Sequence, residues 1–191
     1  MGMLGVSRRV LLVGGEGVVL YAVVGKSVRR EVAVSWDVPN FSQLLIAALL
    51  KQNRARPVVV VFDGADQTYR REDNIPKLSF IDRPRFVKRK LELAFPNYPI
   101  RASLGIAKGR AAPSAYLFVA LPEVEHLDIV SDALLESGVP VAGFGLLPIE
   151  SKDMVSDLAE ALFEPAASRS RWTVLITQHE AGGLRQIVTK D

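Results

Sequence analysis

The pattern of apolar and polar side chains predicts strands in the first part of the chain. Strands are predicted at residues 8–14, 17–25 and 28–36, and the third alternates apolar and polar side chains with the period of two that a half-buried strand requires. A helix that is apolar nearly all round follows from Phe41, as expected of a helix buried on two sides. The run from Pro57 to Phe62 has no polar residue, which is typical of a central parallel strand. The pattern predicts the order β-β-β-α-β.

The middle of the chain changes to the period of a helix. Apolar stripes predict three helices, at residues 82–95, 123–137 and 150–163. Strands are predicted at 100–107, 114–120 and 139–147, the first two joined by a polar turn at 108–110. We therefore expect residues 114–147 to form a βαβ unit with a right-handed crossover. The polar residues 64–80 are predicted to form a surface loop.

The last part of the chain repeats the strand–glycine turn–strand pattern of its first part. Strands are predicted at 172–177 and 184–188, on either side of Gly182 and Gly183. This arrangement predicts the first hairpin of a second lobe, and we expect the sequence to be a fragment of a longer protein. The predicted segments are 1–80, a first βββαβ segment; 81–164, an inserted subdomain; and 165–191, a linker and the second hairpin.

The order of elements up to Asp63 predicts an α/β fold. We expect a ribonuclease H-like or actin-like lobe, with a mixed sheet flanked by helices and a small inserted βαβ subdomain. Folds of this kind usually hold Mg²⁺ or nucleotide phosphate at the first hairpin and at the end of the fourth strand. The corresponding residues are Gly14, Gly15, Gly17, Asp63, Gly182 and Gly183. The first hairpin has no strand-borne Asp and no phosphate-binding hydroxyl, so a degenerate phosphate site is predicted.

Asp63 is the best single candidate for a catalytic residue, because ligands of parallel sheets bind beyond the carboxyl ends of the strands. A metal-dependent nuclease would need further carboxylates around paired metal ions, and the first helix carries no acid. The favoured interpretation is therefore an ordinary turn that ends the strand at Asp63 and Gly64, and no catalytic residue is predicted. His126 and His179 have no partner at ligand spacing and are expected to be structural, so no metal site is predicted.

Composition narrows the function classes only a little. The chain has 191 residues, a net charge of +3 and no Cys, which excludes a disulfide framework and fits a cytosolic protein. No run approaches the ~20 apolar residues of a membrane helix. Gly25-Lys26-Ser27 is similar to the end of a P-loop, but Leu20 stands where that motif needs a glycine.

Basic residues are frequent in one stretch of the sequence. The candidates for partner docking are Arg70, Arg71, Arg85, Lys88 and Arg89. Such a cluster is either a solvated helix face or a docking surface for an acidic partner or an anionic membrane surface. Nucleic acid is not expected as a partner, because no aromatic residues are interleaved for base stacking.

The chain resembles a family of actin-like cytoplasmic proteins. The resemblance rests on the pattern up to Asp63, on residues 139–150 (VPVAGFGLLPIE) and on the second glycine hairpin. The family comprises the type II secretion L proteins and the type IV pilus M proteins of inner-membrane assembly platforms. It implies a two-lobed scaffold that recruits an assembly ATPase or binds a membrane-proximal peptide of a platform protein. It also implies a cytoplasmic location, tethered at the inner membrane by a partner or by a C-terminal part.

The resemblance leaves three function classes open. Pilus M-like members bind ATP, whereas secretion L-like members largely do not, and the degenerate glycine turns favour the second group. The predicted function is therefore a non-catalytic scaffold without a cofactor, which docks proteins, with a second copy of the chain among the candidate partners. The alternatives are an actin-like ATPase that binds Mg-ATP and, third, a ribonuclease H-like metal-dependent nuclease.

Overall fold

A computed structural model describes residues 7–51, 56–73, 75–106, 113–162, 172–178 and 181–190. The helices in this part of the chain are α1 (Phe41–Leu50), α2 (Asp82–Ala94), α3 (Glu125–Ser137) and α4 (Leu147–Leu162). The strands are β1 (Ser7–Gly14), β2 (Gly17–Val24), β3 (Ser27–Ser35), β4 (Val58–Asp63), β5 (Thr68–Glu72), β6 (Ile100–Ile106), β7 (Ala115–Leu121), β8 (Val141–Leu146), β9 (Trp172–Gln178) and β10 (Leu184–Lys190). The predicted turn at 108–110, the linker at 165–171 and His179 lie outside the described residues.

The chain divides into two compact units. The first comprises residues 1–64 and 126–191, and the second is the continuous segment 65–125. The chain thus leaves the first unit after Gly64 and returns to it at His126. This division differs from the predicted segments 1–80, 81–164 and 165–191, because β8 and the elements after it belong with β1 to β4.

The first unit is built on a five-stranded mixed sheet. Its order is β3-β2-β1-β4-β8, with antiparallel pairing from β1 to β3 and parallel pairing of β4 with β1 and β8. β4 lies between β1 and β8, and Val58, Val60 and Phe62 on it are buried, as its uninterrupted apolar sequence predicts. The predicted α/β class, with a mixed sheet flanked by helices, is confirmed, and so is the order β-β-β-α-β.

Arg9 is fully buried in this sheet, although it lies on a strand. Its Nη1 donates to the carbonyl of Leu49 at 2.9 Å and its Nη2 donates to the carbonyl of Ala48 at 3.1 Å. These carbonyls belong to the last turn of α1, and the last four carbonyls of an α-helix have no partner within the helix. Burial lowers the pKa of the Arg9 guanidinium from its ordinary value, while the Glu31 carboxylate, 3.8 Å from Nε, acts in the opposite direction.

The second unit contains a three-stranded antiparallel sheet in the order β5-β7-β6. Val87, Leu91 and Phe95, from α2 and the residue after it, pack against β7 and form its core. The prediction of a surface loop at 64–80 is wrong for Thr68–Glu72, which is β5. This strand lies at the edge of the sheet with three successive exposed residues, so it lacks the apolar alternation by which strands are recognised.

The predicted βαβ unit at 114–147 is also wrong. β7 pairs antiparallel with β5 and β6, whereas β8 pairs in parallel with β4 in the other sheet. The physical reason lies in β4, whose apolar side chains and backbone require a neighbouring strand on each side. β1 provides one neighbour and β8 provides the other.

The second glycine hairpin forms as predicted. β9 and β10 pair antiparallel from Trp172–Lys190 to Gln178–Leu184, and they pack beside α4 in the first unit. That this hairpin opens a second lobe stays a prediction. Of the helices that the structure describes, none has the length and apolar character needed to span a membrane.

Candidate functional site

The two glycine turns of the first unit meet each other directly. The backbone N–H of Glu16, in the turn between β1 and β2, donates to the carbonyl of Ala181 in the second turn at 2.9 Å. A Cβ atom on Gly14 would lie 2.4 Å from the Ala181 carbonyl oxygen, and one on Gly182 would lie 2.5 Å from Cγ of Glu16. Gly182 also has a φ of +109°, which side chains disfavour. Glycine at both positions is what permits the close approach.

Trp36, just after β3, fixes the first of these turns. Its indole Nε1 donates to the carbonyl of Gly14 at 3.0 Å, and its backbone N–H donates to the carbonyl of Glu16 at 3.2 Å. The indole stacks on the ring of His126, with centroids 4.1 Å apart and planes 4° from parallel. His126 therefore packs on the residue that holds this turn.

Asp63 lies at the carboxyl end of β4, in register with Gly14 on β1. Its Oδ1 accepts a hydrogen bond from Nε of Arg185 at 2.8 Å, and its backbone carbonyl accepts one from Nη2 at 2.7 Å. The Asp63 side chain is 2% exposed and that of Arg185 is 26% exposed. A short, nearly buried ion pair of this kind is strongly directional and binds β10 to the end of β4.

The structure brings four of the six predicted phosphate-site residues to this junction: Gly14, Asp63, Gly182 and Gly183. Gly15 differs, because its Cβ position meets no atom within 4 Å. Gly17 faces β3 instead, since a Cβ there would lie 2.2 Å from the carbonyl oxygen of Val34. Among the described residues, no three His, Asp or Glu side chains come together in a group that could hold a metal ion.

Sequence reasoning missed Arg185, Ala181 and Trp36. One signal could have identified Arg185. On β10 the odd positions are half-buried, and Arg185 shares that face with Ile187. A charged residue on the inward-facing side of a strand is unusual and implies an oppositely charged partner. No comparable signal in the sequence points to Ala181.

The predicted docking residues lie in the second unit, and most of them have acidic neighbours. Arg71 Nε lies 2.7 Å from Oδ1 of Asp73, Arg70 Nη2 lies 3.9 Å from Glu72, and Lys88 Nζ lies 4.0 Å from Glu92. Within the described ranges, no carboxylate lies within 4 Å of the exposed Arg85 and Arg89, both on α2. Of the five predicted docking residues, the two without a neighbouring acid in the described part of the chain therefore both lie on this helix.

No model of a known protein family matches the sequence, and no curated protein matches it. A solved structure does match the fold. The chain resembles the cytoplasmic domain of EpsL. That protein is an inner membrane component of the type II secretion system of Vibrio cholerae. The match has a TM-score of 0.50 and 12% sequence identity, and it covers 96% of this chain and 71% of the EpsL domain.

The EpsL match confirms the predicted resemblance to the cytoplasmic domains of type II secretion L proteins. At 12% identity it does so at the level of the fold alone. The resemblance to pilus M proteins, the actin-like two-lobed architecture and the roles of the individual site residues stay predictions.

Proposed function

We propose that this chain is a non-catalytic scaffold of a bacterial inner-membrane secretion or pilus assembly platform, which acts by docking other proteins. The likeness to the EpsL domain supports this role, because EpsL is an inner membrane component of a secretion system. On this proposal the chain is cytoplasmic and is held at the inner membrane by a partner or by a further part of its own polypeptide. Its partners are an assembly ATPase or an inner-membrane platform protein, with a second copy of the chain as a further candidate.

The contacts between the two glycine turns support the non-catalytic part of the proposal, because they use the groups that a phosphate would need. A bound phosphate needs backbone N–H donors and positive charge that are free to face it. Here the Glu16 N–H donates to Ala181, and the Arg185 guanidinium holds Asp63. A nucleotide would have to break both contacts before its phosphates could enter, and doing so would leave the Asp63 carboxylate buried without Arg185.

An actin-like ATPase is the second candidate, and one observation favours it. Gly14, Gly182 and Asp63 come from distant parts of the sequence and lie at one junction, as a phosphate site would require. If the two turns separated, the Glu16 N–H and the Asp63 carboxylate would become available to a phosphate and to Mg²⁺. The cofactor would then be Mg-ATP. The nuclease alternative has no comparable support, since the described residues contain no group of carboxylates at metal-ligand spacing.

Nucleotide binding separates the first two candidates. We would measure the thermal unfolding of the chain with Mg-ATP, with Mg²⁺ alone as the control. A ligand at about 100 times its dissociation constant stabilises a protein by about 2.7 kcal/mol. A scaffold shows no shift at any nucleotide concentration. A shift that requires ATP, together with ATP turnover, would replace the scaffold proposal by the ATPase one.

The docking role is tested separately with purified proteins. We expect the chain to bind an assembly ATPase or an inner-membrane platform protein encoded in the same genome, as measured by biolayer interferometry. An unrelated ATPase of similar charge is the control. If none of the secretion or pilus components of that genome binds, the proposed platform role is wrong.

A further inference from the structure

A groove runs between α2 and β6 in the second unit. Its cavity volume is about 750 Å³, and Phe80, Pro84, Val87 and Leu91 line one wall at the spacing of a helix face. Arg101, Ala102 and Ser103 of β6 form the opposite wall. The groove lies wholly within residues 65–125 and shares no residue with the glycine junction. A concave, largely apolar site of this size is of the kind that binds ligands.

The β6 wall presents the edge of a sheet. In the described part of the chain β6 pairs with one strand, β7, and all seven of its residues are exposed. Successive side chains of a strand point to opposite faces, so three consecutive lining residues mean that the groove follows the backbone edge of β6. The N–H and C=O groups along such an edge are a template for another strand.

The α2 wall offers apolar surface that the fold leaves uncovered. The Phe80 side chain is 85% exposed, although Val87 and Leu91, which line the same wall, are buried in the core. An aromatic side chain left open beside an unpaired strand edge is typical of a docking site and favours an occupant with apolar side chains.

The groove carries more positive than negative charge, which favours a ligand with acidic groups. Arg83, Lys88 and Arg101 line it together with a single acid, Glu92, which is 4.0 Å from Lys88. Arg101 donates from Nη1 to the carbonyl of Phe95 at 3.1 Å, which fixes its guanidinium at the groove. Nε of Arg83 is buried and has no acceptor among the described residues. A carboxylate in the groove would complement this excess of positive charge.

We propose that this groove binds an extended segment of a partner protein, which adds to β6 as a further strand. Alternate side chains of the segment are apolar and lie against Phe80 and the α2 wall, and at least one carboxylate lies against Arg101 or Arg83. Strand addition draws its affinity from main-chain hydrogen bonds and its specificity from side-chain pockets. This inference rests on the proposed docking function and names the surface and the chemistry of the partner.

The probe is a phage-displayed library of random decapeptides, selected on the whole chain and counter-selected on the Phe80→Ala variant. We expect a consensus that alternates apolar residues and contains Asp or Glu. The enriched peptide is then titrated by fluorescence anisotropy. Phe80→Ala and Arg101→Glu should each weaken binding about tenfold, which corresponds to about 1.4 kcal/mol. Phe80 is exposed, so its variant keeps the fold, which circular dichroism verifies.

Two matched controls separate this groove from general attraction to a basic helix. Arg89→Glu is the same substitution as Arg101→Glu, but at a position on α2 outside the groove. It should weaken binding less than about threefold, and this loss of affinity should disappear at high salt. A peptide methylated at the backbone nitrogens that would pair with β6 keeps its side chains but should not bind. Equal losses for Arg89→Glu and Arg101→Glu, or full binding of the methylated peptide, would overturn the proposal.

The remaining outcomes are equally decisive. A consensus with the three- and four-residue spacing of a helix, or no enrichment at all, overturns strand addition. If sedimentation shows a dimer of the chain that dissociates in the Phe80→Ala variant, the occupant is a second copy and the partner segment is wrong.

If a platform protein binds the whole chain and Phe80→Ala leaves that binding unchanged, the platform role stands and the groove proposal fails. If the peptide binds as expected but no platform protein does, the groove stands and the platform role fails.

Discussion

Arg185 donates from Nε to Oδ1 of Asp63 at 2.8 Å, which joins β10 to the end of β4 across 122 positions of sequence. Arg71 and Asp73 make the same Nε–Oδ1 contact at 2.7 Å on the surface, where the two side chains are 64% and 57% exposed. The two pairs thus share their chemistry and nearly share their distance, but they differ in burial. Burial decides what each pair contributes to stability.

Arg185→Ala should destabilise the protein strongly, because it leaves the Asp63 carboxylate buried without Arg185. We expect a loss of about 3 kcal/mol in the free energy of unfolding, measured by urea denaturation. The matched control is Arg71→Ala, which removes the exposed pair and should change the free energy of unfolding by less than about 0.5 kcal/mol. Equal losses of stability in the two variants would show that the Asp63–Arg185 pair contributes no more to stability than an exposed ion pair.

Gly14→Ala should destabilise the junction, because its new Cβ would lie 2.4 Å from the backbone oxygen of Ala181. The expected loss in the free energy of unfolding is about 1–3 kcal/mol, the usual range for overpacking. Gly15→Ala, one residue further on, is the control. No atom lies within 4 Å of its Cβ position, so a change within about 0.5 kcal/mol is expected. A Gly14→Ala protein as stable as Gly15→Ala would mean that the two turns do not meet in solution.

Arg9→Ala should destabilise the first unit by about 2–4 kcal/mol, since it leaves the carbonyls of Ala48 and Leu49 without their charged donor. Arg8→Ala is the control on the neighbouring, exposed residue and should have little effect. Arg9→Lys should restore only part of the loss, because an ammonium lacks the planar fork that reaches both carbonyls. Full restoration by Lys would show that charge alone is required. Thermal and urea unfolding provide the measurement.

Charge reversal on α2 tests the basic docking surface. The triple variant Arg85→Glu, Lys88→Glu and Arg89→Glu should weaken binding of an acidic platform partner by about tenfold or more at low salt, and the difference should shrink at high salt. The double variant Arg70→Glu and Arg71→Glu is the comparison. It should have the smaller effect, because acidic neighbours already offset those charges. Binding that does not depend on salt, or an unchanged affinity of the triple variant, would contradict docking through α2.

Much of the first unit follows from the sequence. The alternation in β3 and the uninterrupted apolar run of β4 predict strands of different exposure, and both strands are found where predicted. β5 could not be predicted, because three successive exposed residues at a sheet edge leave no apolar period to detect. The pairing of β8 was missed for a different reason. Strand-helix-strand order in sequence does not reveal that the two strands belong to different sheets.

The candidate site was predictable only in part. The glycines and Asp63 are recognisable from turn chemistry and from their position at strand ends. Their present partners are not, because Ala181 contributes a backbone carbonyl that any residue would supply. Arg185 is recognisable as a charged residue on the inward-facing side of β10. Its partner Asp63 lies 122 positions away, and no local sequence pattern identifies that partner.

The insertion of the second unit also governs how the protein must emerge from the ribosome. Residues 65–125 contain all partners of β5, β6 and β7, so this unit can fold as soon as it has been synthesised. β4 is made before it, whereas its neighbour β8 is made after it. At about 5–20 residues per second, one edge of the VVVVF segment therefore waits on the order of ten seconds for its partner. During translation this unpaired apolar edge is a template on which another chain could aggregate.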